Sequence, residues 1–192
     1  MEKVNLKLIE NQEVSIDELT DITHEAYRSM FDIDENPEEY EEFKNNVIEY
    51  FKKYSLNREA LEAELPFEID RGDYILNGAI DLIYKESNDE IVILDYKYAE
   101  YDEDHIDGYT KQLHLYAAAL NEMPEFKDYK IKKAITHFVL KDHPHIVEIT
   151  DEKMANELDG LDEVAEKIDA GKFPPNASEG CERCSYRIFC KK

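Results

Sequence analysis

Positive charge is scarce in this chain: 23 Lys and Arg stand against 46 Asp and Glu in 192 residues, a formal net charge of −23. Phosphate contacts are made largely by Lys and Arg, so a broad electrostatic nucleic-acid surface is excluded and any such contact has to be local. Cysteine is almost missing. Its three copies, Cys181, Cys184 and Cys190, fall within the last twelve residues, which excludes a secreted disulfide framework and points to a metal or cluster site. No aliphatic run is longer than Ile91–Leu94, far short of the ~20 residues that span a bilayer. The opening MEKVNLKLIE lacks the plan of a signal peptide. A cytoplasmic protein without membrane contact is expected, in one domain whose 42% hydrophobic content is enough for a core.

The informative stretch is Leu76 to Lys97, LNGAIDLIYKESNDEIVILDYK, two apolar runs joined by Ser87-Asn88-Asp89. A Ser/Asn/Asp cluster between Ile-, Val- and Tyr-rich runs predicts a hairpin. With the turn centred on Asn88, residues whose numbers sum to 176 face each other, which sets Asp81 opposite Asp95. Opposed like charges repel, so such a pair needs a compensating partner. Lys97 lies two residues beyond Asp95 and therefore on the same face. Two carboxylates and an ammonium on one face suit a hard divalent cation and phosphodiester hydrolysis, with the lysine orienting water or stabilising phosphate charge. A solvated polar edge with a surface ion pair is the competing reading. Ile91, Val92, Ile93 and Leu94 make the second strand apolar on both faces, as in a central, doubly covered strand.

The rest of the chain follows local signals. Val4, Leu6 and Leu8 alternate and read as a short strand or arm; Ser15 to Phe31 reads as a helix with a Ser15/Glu18 capping box and His24 at the margin of its apolar stripe. A second helix is expected from Asn36-Pro37, with Tyr40, Phe43, Val47, Phe51 and Tyr54 at helical spacing. Residues 61–69 predict the first strand, with Glu64 either facing solvent or joining the site, and Pro66 marking an edge. Residues 107–121 predict a helix that carries Tyr109, Gln112 and Tyr116 on one stripe. A strand over 132–140, a turn at His143-Pro144-His145 and a short strand to Ile149 follow. The helix over 151–170 carries Met154, Leu158, Leu161, Ala165 and Ile168, either as core or as a docking face, and ends at Gly171. The C-x2-C-x5-C tail offers three thiolates, one fewer than a closed zinc site or a four-cysteine cluster needs.

Glu64 to Phe67, Gly78-Ala79-Ile80-Asp81, Asp95-Tyr96-Lys97, Gln112-Leu113-His114-Leu115-Tyr116 and Phe173-Pro174-Pro175 running into the cysteine tail resemble, in that order, the RecB-like nucleases of the PD-(D/E)xK superfamily. The resemblance implies an α/β fold with a restriction-endonuclease-like core, a mixed central sheet flanked by helices. It implies one nuclease domain over 1–192, with a helical part to residue 60, the sheet core over 61–150 and the last helix and tail over 151–192. Asp81, Asp95 and the Tyr96 carbonyl would hold Mg²⁺ or Mn²⁺, with Glu64 a further carboxylate, His24 a further ligand and Lys97 the catalytic lysine. Gln112 and Tyr116 match an element that contacts DNA or supports the site. Related enzymes bind a [4Fe-4S] cluster through one N-terminal and three C-terminal cysteines; here residues 1–180 hold none, so a fourth ligand is not identifiable. The chain has no G-x-x-x-x-G-K-[ST] phosphate loop, and related nuclease domains often end UvrD-type helicases, which makes a fragment of a longer helicase-nuclease an expectation. The activity implied is a metal-dependent deoxyribonuclease, an exonuclease on ends or single strands in repair, recombination or CRISPR adaptation. The competing expectation is a catalytically silent module that grips DNA or a partner.

Overall fold

The most apolar run of the sequence becomes the middle of a five-stranded sheet. The structure, a computed structural model, describes residues 2–10, 12–29, 31, 33, 36–54, 58–174 and 179–190; Pro175 of the tail motif lies outside the described residues. The strands are β1 (Glu59–Asp70), β2 (Ile75–Ser87), β3 (Glu90–Lys97), β4 (Lys130–Phe138) and β5 (His143–Glu148), adjacent in that order. Only β3 and β4 pair in parallel; the other neighbours are antiparallel. Parallel neighbours need a crossover, and α4 (Ile106–Glu122) supplies it. Val92, Ile93 and Leu94 have no exposed surface, so β3 is covered on both sides, as its unbroken apolar sequence requires. Each such side chain contributes about 1.5–3 kcal/mol by leaving water.

The hairpin register follows the sum of 176 through Leu82–Leu94, Ile83–Ile93, Tyr84–Val92 and Lys85–Ile91. On one face Ile83, Ile91, Ile93 and Ala134 pack against Leu113, Ala117 and Leu120 of α4 and Met154 of α5 (Asp151–Asp169). On the other, Leu82, Val92, Leu94 and Ile135 form a cluster. Beside it Val4 of α1 (Glu2–Ile9), Leu19 of α2 (Ile16–Arg28) and Val47 and Phe51 of α3 (Pro37–Tyr54) form a further core. The architecture is α/β, a mixed sheet between helices, as a restriction-endonuclease-like core requires. Among the described residues no helix is long and apolar enough to cross a membrane.

Three local expectations fail. The N-terminal arm is a helix: Val4 is buried, Leu8 is partly covered and Leu6 is 43% exposed, so the working spacing is i, i+4 rather than i, i+2. Lys3–Glu25 and Lys7–Glu18 ion pairs join α1 to α2. His143-Pro144-His145 is no turn but the start of β5. The reversal is made just before it by a 3-10 turn over Val139–Lys141 and by Asp142 in the left-handed conformation (φ 49°), and β5 is an edge strand where Pro144 loses little. The stripe of α5 is core only in its first half: Met154 is buried while Ile168 is 57% exposed. Midway along the helix, Asp162 is held by Arg71 Nη2 at 2.5 Å and by the Tyr74 hydroxyl at 2.7 Å.

Candidate active site

Beyond an irregularity between Lys85 and Ser87, the β2–β3 ladder keeps one register from Lys85–Ile91 to Leu82–Leu94, and Asp81 and Asp95 come next. Asp81 accepts the backbone N–H of Tyr96 through Oδ2 at 2.8 Å, so a side chain takes over where the backbone pairing of the hairpin stops. Asp95 is 1% exposed. Its Oδ1 accepts from Lys97 Nζ at 2.9 Å, while its Oδ2 is buried without a hydrogen-bond partner. Burial, with a smaller push from the charge of Asp81, raises the Asp95 pKa to about 6 against the pull of Lys97. Lys97 Nζ also stands 5.6 Å from the centre of the Tyr109 ring, a distance at which the π-face attracts a cation.

Glu64 arrives from β1. It lies between the pairs Ala63–Leu82 and Leu65–Ile80, level with Asp81, and has φ 50°, a left-handed conformation that costs a side-chain-bearing residue roughly 1–2 kcal/mol. The distortion has a visible effect. Ala63 and Leu82 pack into the cluster on the face away from α4, whereas Leu65 and Ile80, two positions along, pack on the α4 side. Strict alternation would leave all four on one face. The strands therefore change faces at Glu64 and Asp81.

From α4, Gln112 Nε2 donates to the Tyr116 hydroxyl at 2.7 Å. Burial, then Asp95 and Asp81, and last Glu64 lift the Tyr116 pKa to about 12. The negative charge of all three carboxylates thus bears on one phenol. Behind it Phe67 packs edge-on at 5.6 Å. That ring also sits over Gly78, where a built Cβ would lie 2.7 Å from Phe67 Cζ.

Two hollows open beside these residues. One, of about 280 Å³, is walled by Leu19, Ile22 and Thr23 of α2 and Phe43 of α3, and touches Glu64 and Asp81. The other, of about 500 Å³, runs along the start of α4 past Tyr109, Gln112 and Tyr116. His24 lines neither; its Nδ1 is 3.0 Å from the Tyr40 hydroxyl. The structure thus joins Asp81 to Tyr96 and Asp95 to Lys97 at the end of β3, sets Glu64 level with Asp81 on the neighbouring strand, pairs Gln112 with Tyr116 on α4, and seats His24 against Tyr40 of α3.

Among the described residues no three His, Cys, Asp or Glu side chains are grouped to hold a metal. The carboxylates still fit a hard cation. Asp95 Oδ2 is a buried, partly charged oxygen facing no proton donor, and such an atom is costly unless a positive charge completes it. The tail differs. Cys184 and Cys190 are exposed, Cys181 is half-buried and none is in a disulfide, so the iron-sulfur expectation finds no support among the described residues. In the sequence Tyr109 is marked only by its place on a helical stripe, and the contact between Phe67 and Gly78 only by a lone glycine within a strand.

Among curated proteins none matches the chain. Among solved structures, a candidate exonuclease from Eubacterium rectale is similar at 16% identity and a TM-score of 0.48, over 94% of this chain and 77% of that one. The protein SSO0001 is similar at 17% identity and a TM-score of 0.46, over 90% of this chain and 93% of that one. The profile of the PD-(D/E)XK nuclease superfamily matches residues 5–191. Nearly the whole chain is thus accounted for, and the protein belongs to the PD-(D/E)XK nuclease superfamily.

Proposed function

We propose that the protein is a divalent-metal-dependent DNA nuclease of the RecB-like kind, a single domain that hydrolyses phosphodiesters from DNA ends. The observation that carries this reading is Asp95, buried beside Asp81, with Lys97 on one oxygen and no partner on the other. Asp81, Asp95 and the Tyr96 carbonyl, with Glu64 alongside, would hold Mg²⁺ or Mn²⁺, which would supply Lewis-acid stabilisation of the phosphate. The chain's own groups do the rest. Asp95 orients Lys97, whose ammonium positions water and offsets negative charge that builds on phosphorus-bound oxygens. Water oxygen bonds to phosphorus and gives up its proton to solvent, the P–O ester bond breaks, and the leaving alkoxide takes a proton from solvent. Gln112 holds the Tyr116 hydroxyl and keeps that wall fixed. His24 has its Nδ1 on the Tyr40 hydroxyl, so Nε2 is the nitrogen it would offer a metal.

The test is digestion of end-labelled single-stranded, duplex and circular DNA with Mg²⁺ or Mn²⁺ by the wild type, Asp95→Ala and Lys97→Ala. Cleavage by the wild type alone, with circles spared, is the expected result. Wild-type protein that binds DNA but leaves it intact would replace this reading with the silent module, which the net charge of −23 favours.

A further inference from the structure

An acidic nuclease has to hold an anionic polymer with few cations, and the structure shows where one remains free. Lysines across the sheet and helices are engaged by carboxylates: Lys53 by Asp142, Lys85 by Glu59, Lys133 by Glu86, Lys153 by Glu148. Even Lys97 is held by Asp95. Lys111, in the second turn of α4, makes no ion pair or hydrogen bond among the described residues, is exposed, and lines the 500 Å³ cleft. Asn77 of β2 stands on the same cleft with Gln112, and Gly78 and Gly108 add no side chains to its rim. Phe67, Leu76 and Tyr109 supply apolar and aromatic wall. Tyr109 on its wall lies 5.6 Å from Lys97 Nζ, which Asp95 holds at 2.9 Å. The cleft therefore borders the lysine and carboxylate of the site and carries an uncommitted ammonium and an amide on its own wall.

Resting on the nuclease reading above, we infer that this cleft is a backbone-phosphate subsite for single-stranded nucleic acid, in which Lys111, aided by Asn77, binds a phosphate flanking the one at the carboxylates. The volume lies within the roughly 300–1,000 Å³ of ordinary ligand clefts, enough for a nucleotide unit and too little for a duplex. A duplex carries about one charge per 1.7 Å of axis, which a surface of this sign repels; one strand asks for one or two contacts. Among the described residues Arg28, Lys127, Lys172, Arg183 and Arg187 also make no side-chain ion pair, but none of them lines this cleft.

The test is a protein–DNA cycle. Binding of a fluorescent single-stranded oligonucleotide is measured in Ca²⁺ by anisotropy for the wild type, Lys111→Ala and Lys111→Arg, with a neutral methylphosphonate placed at each linkage in turn. Cleavage in Mg²⁺ or Mn²⁺ is measured alongside. Lys111→Ala is expected to weaken binding about tenfold, to reduce the slope of log affinity against log salt by about one, and to leave the saturated rate unchanged, with Arg restoring most of the loss. One methylphosphonate position should cost the wild type the same factor and cost Lys111→Ala nothing. Equal profiles in both proteins, or unchanged affinity in Lys111→Ala, would overturn the subsite even if cleavage is intact. Wild-type binding that shows the Lys111 cycle without cleavage would uphold the subsite and overturn the catalytic reading. No binding by the wild type overturns both.

Discussion

The carboxylate of Asp81 accepts the backbone N–H of Tyr96 at 2.8 Å, so one side chain both ends the hairpin ladder and faces its neighbour's charge at Asp95. The two roles are separable. Asp81→Asn keeps an oxygen that can accept from Tyr96 but removes the charge; Asp81→Ala removes both. Cleavage should be lost by at least a hundredfold in each, while denaturant unfolding should show only Asp81→Ala destabilised, by about 1 kcal/mol. Equal stability of the two variants would mean that the bond to Tyr96 contributes nothing.

Asp95 should make the metal-free protein less stable as pH rises. Its folded pKa of about 6 lies above the ordinary value of 3.8, so the folded state binds the proton more tightly than the unfolded chain. Stability from this group is therefore fully present below about pH 4 and is lost as pH rises through about 6. In EDTA at neutral pH, Asp95→Asn should be more stable than wild type by about 1–3 kcal/mol, and the difference should vanish towards pH 4. Adding Mn²⁺ should raise the melting temperature of the wild type and not of the variant. Thermal unfolding across pH, with and without metal, checks both halves.

Glu64 offers a comparison in which the lost carboxylate cancels. Its φ of 50° admits glycine without cost and strains any residue with a Cβ. Glu64→Gly and Glu64→Ala should impair cleavage alike. Glu64→Gly should nonetheless be the more stable by up to about 1 kcal/mol in denaturant unfolding. The reverse order would show that the bend at this position relaxes when the side chain is removed.

Much of this arrangement is legible in the sequence because it follows from short-range rules. The register that pairs Leu82 with Leu94 comes from a turn centre and a period of two, and the central place of β3 comes from an apolar run without alternation. What escapes is whatever tertiary packing decides. Val4, Leu6 and Leu8 satisfy a strand pattern as well as a helix pattern, and only the cover supplied by α2 and α3 selects Val4 and Leu8. The left-handed backbone at Glu64 and Asp142 falls on residue types that carry no signal as strong as glycine's. Ile168 keeps its place in the α5 stripe, but nothing among the described residues covers it as Met154 is covered. At the site, the ladder positions of Asp81 and Asp95 are readable, whereas the freedom of Lys111 is not, because it depends on which acids fold beside other lysines.

Gly78 ties the fold to the site through one ring. Phe67 and Gly78 are register partners, and a Cβ at Gly78 would sit 2.7 Å from Phe67 Cζ and 2.8 Å from Cε1, well inside van der Waals contact. Phe67 is 6% exposed and packs edge-on against Tyr116, so its ring cannot swing away without moving that phenol. Gly78→Ala should therefore cost about 1–3 kcal/mol as an overpacked core does, and should also shift Tyr116 from Gln112 and the carboxylates. Slower cleavage at saturating DNA, measured at a temperature where the variant is fully folded, is the expected signature. The companion change Phe67→Leu in the Gly78→Ala background makes room for the methyl group. It should recover part of the stability and of the rate together, because both losses pass through the same contact; recovery of stability alone would separate the packing of β1 on β2 from the wall of the site.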